Sequence, residues 1–446
     1  MRSEIRTFTY PNGEIQRVQT VTLEDWRNLD FWELSYAQEA LDCFYDVYRL
    51  YLVPSAPWLF GNLVMFHIPE DVEVPFSMDT KRYGKVADRL TAATAALEAG
   101  VTIAKGQPKF RNDATKAFWQ TLAEKNCIRM VSGKLPTTKF IPVGDLPGYM
   151  SRAEQNAPMK VNASFFIMDR FDCATVYDHV GTPFGMRVKN GVVFAPPLFG
   201  REALLVRENG VSVERPDVRE LGLEIGGFVY RHGQNAVVYT RPDRATAPRT
   251  NGKKLVIIGD RVSAVCGKGT VPIPASGFVL AVEGLCRVKP GDQVIYRGME
   301  DVIFGIQVGN SILKNGVKTE QFLSRFYNLR KLEPVPFPPS LYPMDFEKAR
   351  AARIALGADR NGNPMVLWAE GAGKLSYTPG QDSCGASLTE MAELCEAVGM
   401  VNAVNLDGGG SAQILLNNQR SLHISDRKKE DNSDAERPIP LGLILR

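Results

Sequence analysis

The sequence predicts an α+β fold: a β-rich, hairpin-built C-terminal domain with a few helices, preceded by a mixed, mostly helical N-terminal region. Three observations predict it. From Lys160 onward, short apolar runs alternate with Gly, Asn and Asp turns, as in MKVNASFFIM, GMRVKNGVVFA, ALLVRENGVSVE, KKLVIIGDRVSAV and GFVLAVEG. Two of those turns, Lys189-Asn190-Gly191 and Glu208-Asn209-Gly210, carry an Asn-Gly pair suited to the left-handed dihedrals of a tight hairpin. Before Gly148 the spacing of apolar residues is instead helical.

The helical reading of residues 1–150 rests on three stretches. Leu23–Tyr51 is rich in aromatic residues and helix formers, and Tyr83–Leu97 and Asp113–Lys125 repeat apolar residues at three and four. With 446 residues, two to three domains are expected. The composition changes near Gly148, so we divide the chain into 1–150, of unassigned function, and 151–446. Near the C-terminus one helix is well signed. Ser387 and Glu390 form a capping box, Leu388, Met391, Ala392, Cys395 and Val398 an apolar stripe, and Gly399 a stop. A short strand from Val401 to Leu406 then ends in a turn at Asp407-Gly408-Gly409-Gly410.

Composition narrows the function. Hydrophobic residues make up 44% and charged residues 23%, and the net charge is +3, so nothing electrostatic points to nucleic acid or an anionic membrane. The seven cysteines are odd in number, widely spaced and without a CxxC, which argues for free thiols rather than a disulfide framework or zinc site. The four histidines show no metal-ligand spacing and read as structural or exposed. The most apolar stretch, 48–68, is broken by Pro54, Pro57 and Gly61, so no membrane span is expected. No secretory signal is visible at the N-terminus, and a cytoplasmic location is expected.

Three segments place polar residues where a strand would bury them. In VNAVNLDGGGSAQILL, alternation puts Asn405 and Asp407 on one face and Val404 and Leu406 on the other. Two buried polar groups at a strand end need partners, and three glycines allow a ligand close to the backbone N–H groups. A plain turn in which Asp407 caps its own backbone explains the same residues equally well. In Val161–Phe166, Asn162 and Ser164 share a face; a half-exposed strand explains that too. In ARAARIALGA, Arg353 lies either on an exposed face or in a paired, functional guanidinium, and Arg437 in AERPIPLGLIL poses the same choice.

These segments occur in an order: V-N-x-S-F-F at Val161–Phe166, P-x-G at Pro183–Gly185, a hairpin at Val188–Val192, P-x-S-G-F-V-L at Pro274–Leu280 and K-P-G-D at Lys289–Asp292. Gly309–Gly316, A-R-x-A-x-G at Ala352–Gly357, N-L-D-G-G-G-S at Asn405–Ser411 and E-R-P at Glu436–Pro438 follow. Over roughly 285 residues this order resembles the phosphodiester glycosidase family, with NLDGGGS its most specific block. The chain departs from the family's usual residues at Asn162-Ala163, Gly309-Asn310-Ser311 and Arg353-Ile354.

The resemblance implies hydrolysis of a sugar-1-phosphodiester at the anomeric C–O bond, on a small-molecule or glycan substrate and without a cofactor. It implies Asp407, Arg353 and Asn162 as catalytic residues. Ser164, Asn405, Gly408, Gly409, Gly410, Ser411, Asn310 and Arg437 would contact substrate. A phosphate ester leaves as a stabilised anion, so one carboxylate with cationic and N–H donors suffices where an alcohol leaving group would need two. Asp407 with neighbouring amide oxygens could instead hold a divalent cation. Two rival readings are a metal-dependent phosphate-ester hydrolase and a non-catalytic glycan-binding or structural module on the same fold.

Overall fold

Among the described residues the buried apolar side chains form one main core and several smaller clusters. In the computed structural model the described residues are 1–33, 63–66, 71–76, 85–86, 89–104, 107–125, 128–130, 139–142, 149–152, 154–167, 175, 177, 182–198, 200–241, 243–284, 286–320, 349–373, 377–428 and 431–446. The strands that carry the site are β1 (Arg2–Thr9), β2 (Ile15–Thr22), β3 (Leu29–Glu33), β4 (Met159–Asn162), β5 (Ser311–Lys314) and β6 (Val317–Lys318). They continue with β7 (Arg353–Asp359), β8 (Pro364–Ala369), β9 (Met400–Asn405), β10 (Ile414–Leu416) and β11 (Leu441–Leu445). Among the described residues the α-helices are α1 (Arg89–Gly100), α2 (Asp113–Glu124) and α3 (Leu388–Ala397).

One seven-stranded sheet has the order β1-β2-β8-β7-β9-β5-β6, and one four-stranded sheet the order β3-β11-β4-β10. Every pairing in both is antiparallel. The central strands β8, β7 and β9 of the seven-stranded sheet are buried on both faces, while the edge strands β1 and β6 are largely exposed. Ile354, Leu356, Val366, Trp368, Val404 and Leu406 join the main core, while Ala355, Leu367, Ala369 and Ala403 pack on Met391, Ala392 and Cys395 of α3. That is why β7 and β8 read as nearly continuous apolar runs rather than as alternating ones.

The C-terminal expectations hold in their local chemistry. Asn190 (φ 47°) and Gly191 (φ 77°) turn the hairpin between strands Arg187–Lys189 and Val192–Ala195. The second hairpin also forms, with Arg207 opposite Gly210, but Asn209 is not left-handed there. Helix α3 begins at the predicted capping box, with Ser387 as N-cap and Glu390 at N3, and Gly399 follows with φ 93°.

The mostly helical N-terminal region is not what the chain forms. Residues 2–22 make the hairpin β1–β2, and residues 26–33 a 3-10 turn followed by β3. The aromatic residues that suggested a helix have tertiary partners instead: Phe31 stacks on Phe304, Trp26 packs tilted against the same ring, and Trp32 is buried on β3. The rest of the expected 23–51 helix lies outside the described residues. The other two stretches do hold helices, α1 and α2, though α1 begins at Arg89 rather than Tyr83.

The first 33 residues complete both sheets. β2 pairs with β8 (Val18 opposite Ala369, Thr22 opposite Met365), and β3 with β11 (Leu29 opposite Leu445, Glu33 opposite Leu441). The division at residue 150 therefore does not coincide with a gap in hydrogen bonding. A chain starting at residue 34 would leave the β8 and β11 edges open and lose the buried Val18, Val21, Leu23, Trp26, Leu29 and Trp32. At about 1.5–3 kcal/mol per large apolar side chain, the truncated chain should be insoluble or melt well below the full chain. Thermal melting of both checks this; equal midpoints would show the strands dispensable.

Candidate active site

Asp407 is set by the point where the two sheets meet. The β7–β9 register pairs Ala355 with Asn405, and Leu406 N–H to the Ile354 carbonyl (2.8 Å) carries the ladder one step further. By that register Arg353 stands opposite Asp407. The next donor, Asp407 N–H, leaves the seven-stranded sheet and bonds the Ala163 carbonyl just after β4 (3.0 Å).

Asn162 locks that junction. Its Nδ2 donates to the Asp407 carbonyl (2.7 Å), and its Oδ1 accepts from Gln413 N–H (2.9 Å). One partner can only accept and the other only donate, so the amide's orientation is fixed. The two ends of the glycine turn are thus clipped to one side chain, itself 1% exposed. Gln413 is fixed in the same way, because its Oε1 accepts from Arg420 Nε (2.9 Å) and Arg420 pairs with Glu436 (2.6 Å). Ser164, also buried, has no hydrogen-bond partner for its Oγ among the described residues.

The Asp407 carboxylate caps its own turn, accepting from Gly408 N–H at 2.8 Å, and it also bonds the Ser411 side chain. Gly409 takes φ 60° and donates to the Ala352 carbonyl (2.7 Å). The N–H groups of Gly408 and Gly409, expected to face substrate, are therefore engaged inside the protein. On the other side of Ser411 lies Arg437, whose Nη1 donates to Ser411 Oγ at 3.5 Å. Arg437 Nε and Nη2 both donate to Asp426 Oδ2, at 3.1 and 2.9 Å. A Cβ on Gly410 would lie 1.8 Å from Asp426 Oδ2, so only glycine fits there.

Burial pushes the Asp407 carboxyl up to about 7, against the opposing pull of the Arg437 charge, the Ser411 hydroxyl and the Gly408 N–H. An acid group so placed takes and gives a proton near neutrality.

Arg353 is buried and paired. Its Nε donates to the Ala386 carbonyl (2.8 Å) and its Nη2 to the Ala349 carbonyl (2.9 Å), tying the start of β7 to the entry of α3. Asn310 and Asn405 adjoin through the main chain: Asn405 N–H bonds the Asn310 carbonyl (2.8 Å), and Gly309 N–H the Asn405 carbonyl (2.9 Å). Asn162, Arg353, Asn310, Asn405 and Ser411 thus gather around Asp407, with Asn162 and Arg353 bonded to main-chain atoms. Sequence reasoning missed Asp426 and Gln413. Asp426 carries no local signal, since its partner lies eleven residues on; the alternation of Gln413 with Ala412 and Ile414 could have found it.

Among the described residues, no three His, Cys, Asp or Glu side chains group so as to hold a metal ion, and no helix is long and apolar enough to cross a membrane. Cys266, Cys286, Cys384 and Cys395 are buried free thiols, and Cys43, Cys127 and Cys173 lie outside the described residues. His232 Nδ1 accepts from Val238 N–H (3.1 Å), and exposed His423 meets Asp434 (3.2 Å). His67 and His179 are not among the described residues.

The family model for phosphodiester glycosidases matches residues 156–446, the span that holds every residue of this cluster. The chain belongs to the phosphodiester glycosidase family. Among curated members, N-acetylglucosamine-1-phosphodiester alpha-N-acetylglucosaminidase of Mus musculus and of Homo sapiens each share 36% identity with it over 86 residues. That stretch is 19% of this chain and 15% of either relative. Among solved structures, a hypothetical protein from Synechocystis aligns at TM-score 0.40 and 14% identity, covering all of this chain and 62% of that one. The catalytic domain of the zebrafish N-acetylglucosamine-1-phosphodiester alpha-N-acetylglucosaminidase, auto-inhibited by its pro-peptide, aligns at 0.36 and 11%, covering 100% and 82%. A putative exported protein of Burkholderia pseudomallei gives 0.39 and 16%, covering 100% and 96%.

Two outcomes follow for this glycosidase-family site. Asn162→Ala orphans a buried carbonyl and a buried N–H, and should lower stability by about 2–5 kcal/mol; urea denaturation measures it, and a loss under about 0.5 kcal/mol would dismiss the clip. The second concerns pH. The folded value for Asp407, about 7, is above its ordinary 3.8, so its contribution to stability is complete below 3.8 and lost as pH rises through about 7. Asp407→Asn lacks that loss. Its melting temperature relative to wild type should therefore rise between about pH 4 and pH 8, and a flat difference would contradict the raised value.

Proposed function

We propose that this chain hydrolyses a sugar-1-phosphodiester at the anomeric C–O bond, releasing a sugar and a phosphomonoester. The observation that carries the reading is the Asp407 carboxyl, half-buried at the sheet junction and reached by Arg437 across Ser411. Membership of the phosphodiester glycosidase family supports it.

The reaction places one water oxygen on the anomeric carbon and breaks the bond from that carbon to the phosphate oxygen. The bonding pair leaves with the phosphate, already stabilised as an anion, so protonation of the leaving group contributes little. Asp407 as carboxylate takes the proton of the attacking water, or itself attacks the anomeric carbon before water releases the sugar. Arg437 is assigned to the leaving phosphate ahead of Arg353 because its Nη1 reaches Ser411, which bonds Asp407, and its charge acts on that carboxyl, whereas Arg353 Nε and Nη2 serve the Ala386 and Ala349 carbonyls. Ser411 lies between acid and cation and would orient either a phosphate oxygen or Asp407 itself. Asn162 holds the Asp407 main chain and acts through position rather than contact.

The test is turnover of a chromogenic sugar phosphodiester in oxygen-labelled water. Label in the sugar is expected. Label in the phosphate would mean P–O cleavage by a phosphate-ester hydrolase, and absence of turnover a non-catalytic module. Asp407→Asn should lower kcat about 10²-fold or more, with binding of an unreactive analogue changed far less. Full activity in that variant would remove Asp407 from the chemistry.

A further inference from the structure

Asp426 has no role in the reaction as drawn, yet it is fully buried beside the site. A carboxylate so enclosed persists only with a charged or hydrogen-bonding partner. Arg437 supplies one, through Nε and Nη2 on the same oxygen. Ala435 N–H to the Asp426 carbonyl (2.9 Å) closes the strap that carries both residues. The pair is pressed onto the NLDGGGS turn: a Cβ on Gly410 would meet Asp426 Oδ2 at 1.8 Å and Arg437 Nη2 at 2.4 Å. On its far side Arg437 reaches Ser411, which bonds Asp407.

We propose that Asp426 is a positioning residue of the Asp407 site: it fixes Arg437 against the glycine turn and screens that arginine's charge from Asp407. This rests on the reading of Asp407 as the reacting carboxyl. The arrangement has two opposed consequences. Removing the Asp426 charge leaves more of the Arg437 field on Asp407 and makes it more acidic. A methyl group at Gly410 drives the pair off the turn, weakens that field and makes Asp407 less acidic. The other charges on elements packed around Asp407 are Arg353 on β7, Glu370 after β8, Lys160 on β4, Arg420 after β10 and Glu436 on the strap, and both substitutions leave these in place.

The experiment uses the full chain as wild type, Asp426→Asn and Gly410→Ala. Two profiles are recorded for each: kcat/KM against pH on a chromogenic sugar phosphodiester, and melting temperature against pH relative to the same protein carrying Asp407→Asn. Relative to wild type, the inflection should move down by about one unit in Asp426→Asn and up in Gly410→Ala. General damage to the fold would not shift the two in opposite directions. No movement, or movement in one direction for both, overturns the proposal. If Asp426→Asn does not fold, Gly410→Ala decides alone, since it keeps both charges, and an unmoved inflection there overturns it. A wild type that turns over no sugar phosphodiester defeats the functional reading, while the melting profiles still report the titration of Asp407 and decide this one.

Discussion

The buried side-chain amide of Asn162 braces the junction of the two sheets, beside the Asp407 N–H to Ala163 carbonyl bond. Asn162 sits on β4 of one sheet and holds the main chain at Asp407, where the other sheet ends, and at Gln413, where the chain returns to pair beside β4. Without it the glycine turn would have two loose ends in a region with little water to satisfy them. The carboxyl, the serine beyond it and the arginine strap all take their places from that turn. The position of Asp407 therefore depends on an amide whose own hydrogen bonds go to main-chain atoms.

The polar residues around Asp407 share one geometric origin. Val161, Ala163, Val404, Leu406, Ala412 and Ile414 belong to the main core. Asn162, Ser164, Asn405, Asp407 and Gln413 alternate with them and so turn away from it. The same pleat that closes the core assembles a polar layer at the strand ends. Burial there raises the Asp407 carboxyl toward neutrality and makes paired partners obligatory for Arg353, Arg437 and Asp426.

Much of the C-terminal half was legible in the sequence because its signals are local. An Asn-Gly pair with left-handed dihedrals, a capping box and a period of two each involve residues within a few positions of one another, and Asn190-Gly191, Ser387–Glu390 and Val404–Asp407 all behave as read. Asp407 also caps its own backbone, so the plain reading of the turn and the functional one are both compatible with the same side chain. The N-terminal strands were not legible. Trp26, Phe31 and Trp32 are placed by partners hundreds of residues away, and local spacing cannot register those. Asp426 escaped for the same reason on a smaller scale. Arg353 was ambiguous because a sheet covered on both faces removes the alternation that would have shown its side.

The pairing of β3 with β11 ties Leu29 to Leu445, almost the whole length of the chain. During synthesis β3 leaves the ribosome long before β11, and the four-stranded sheet can close only once Leu441–Leu445 are made. Loop closure on that scale is slow, and unpaired strand edges meanwhile invite association with other chains. Asn162 lies on the strand between β11 and β10, so its clip is complete only when Gln413 and the residues after it have emerged. Chains not yet extended through β11 therefore lack the assembled cluster around Asp407, and the yield of folded protein depends on how well β3 is kept from other chains until β11 is made.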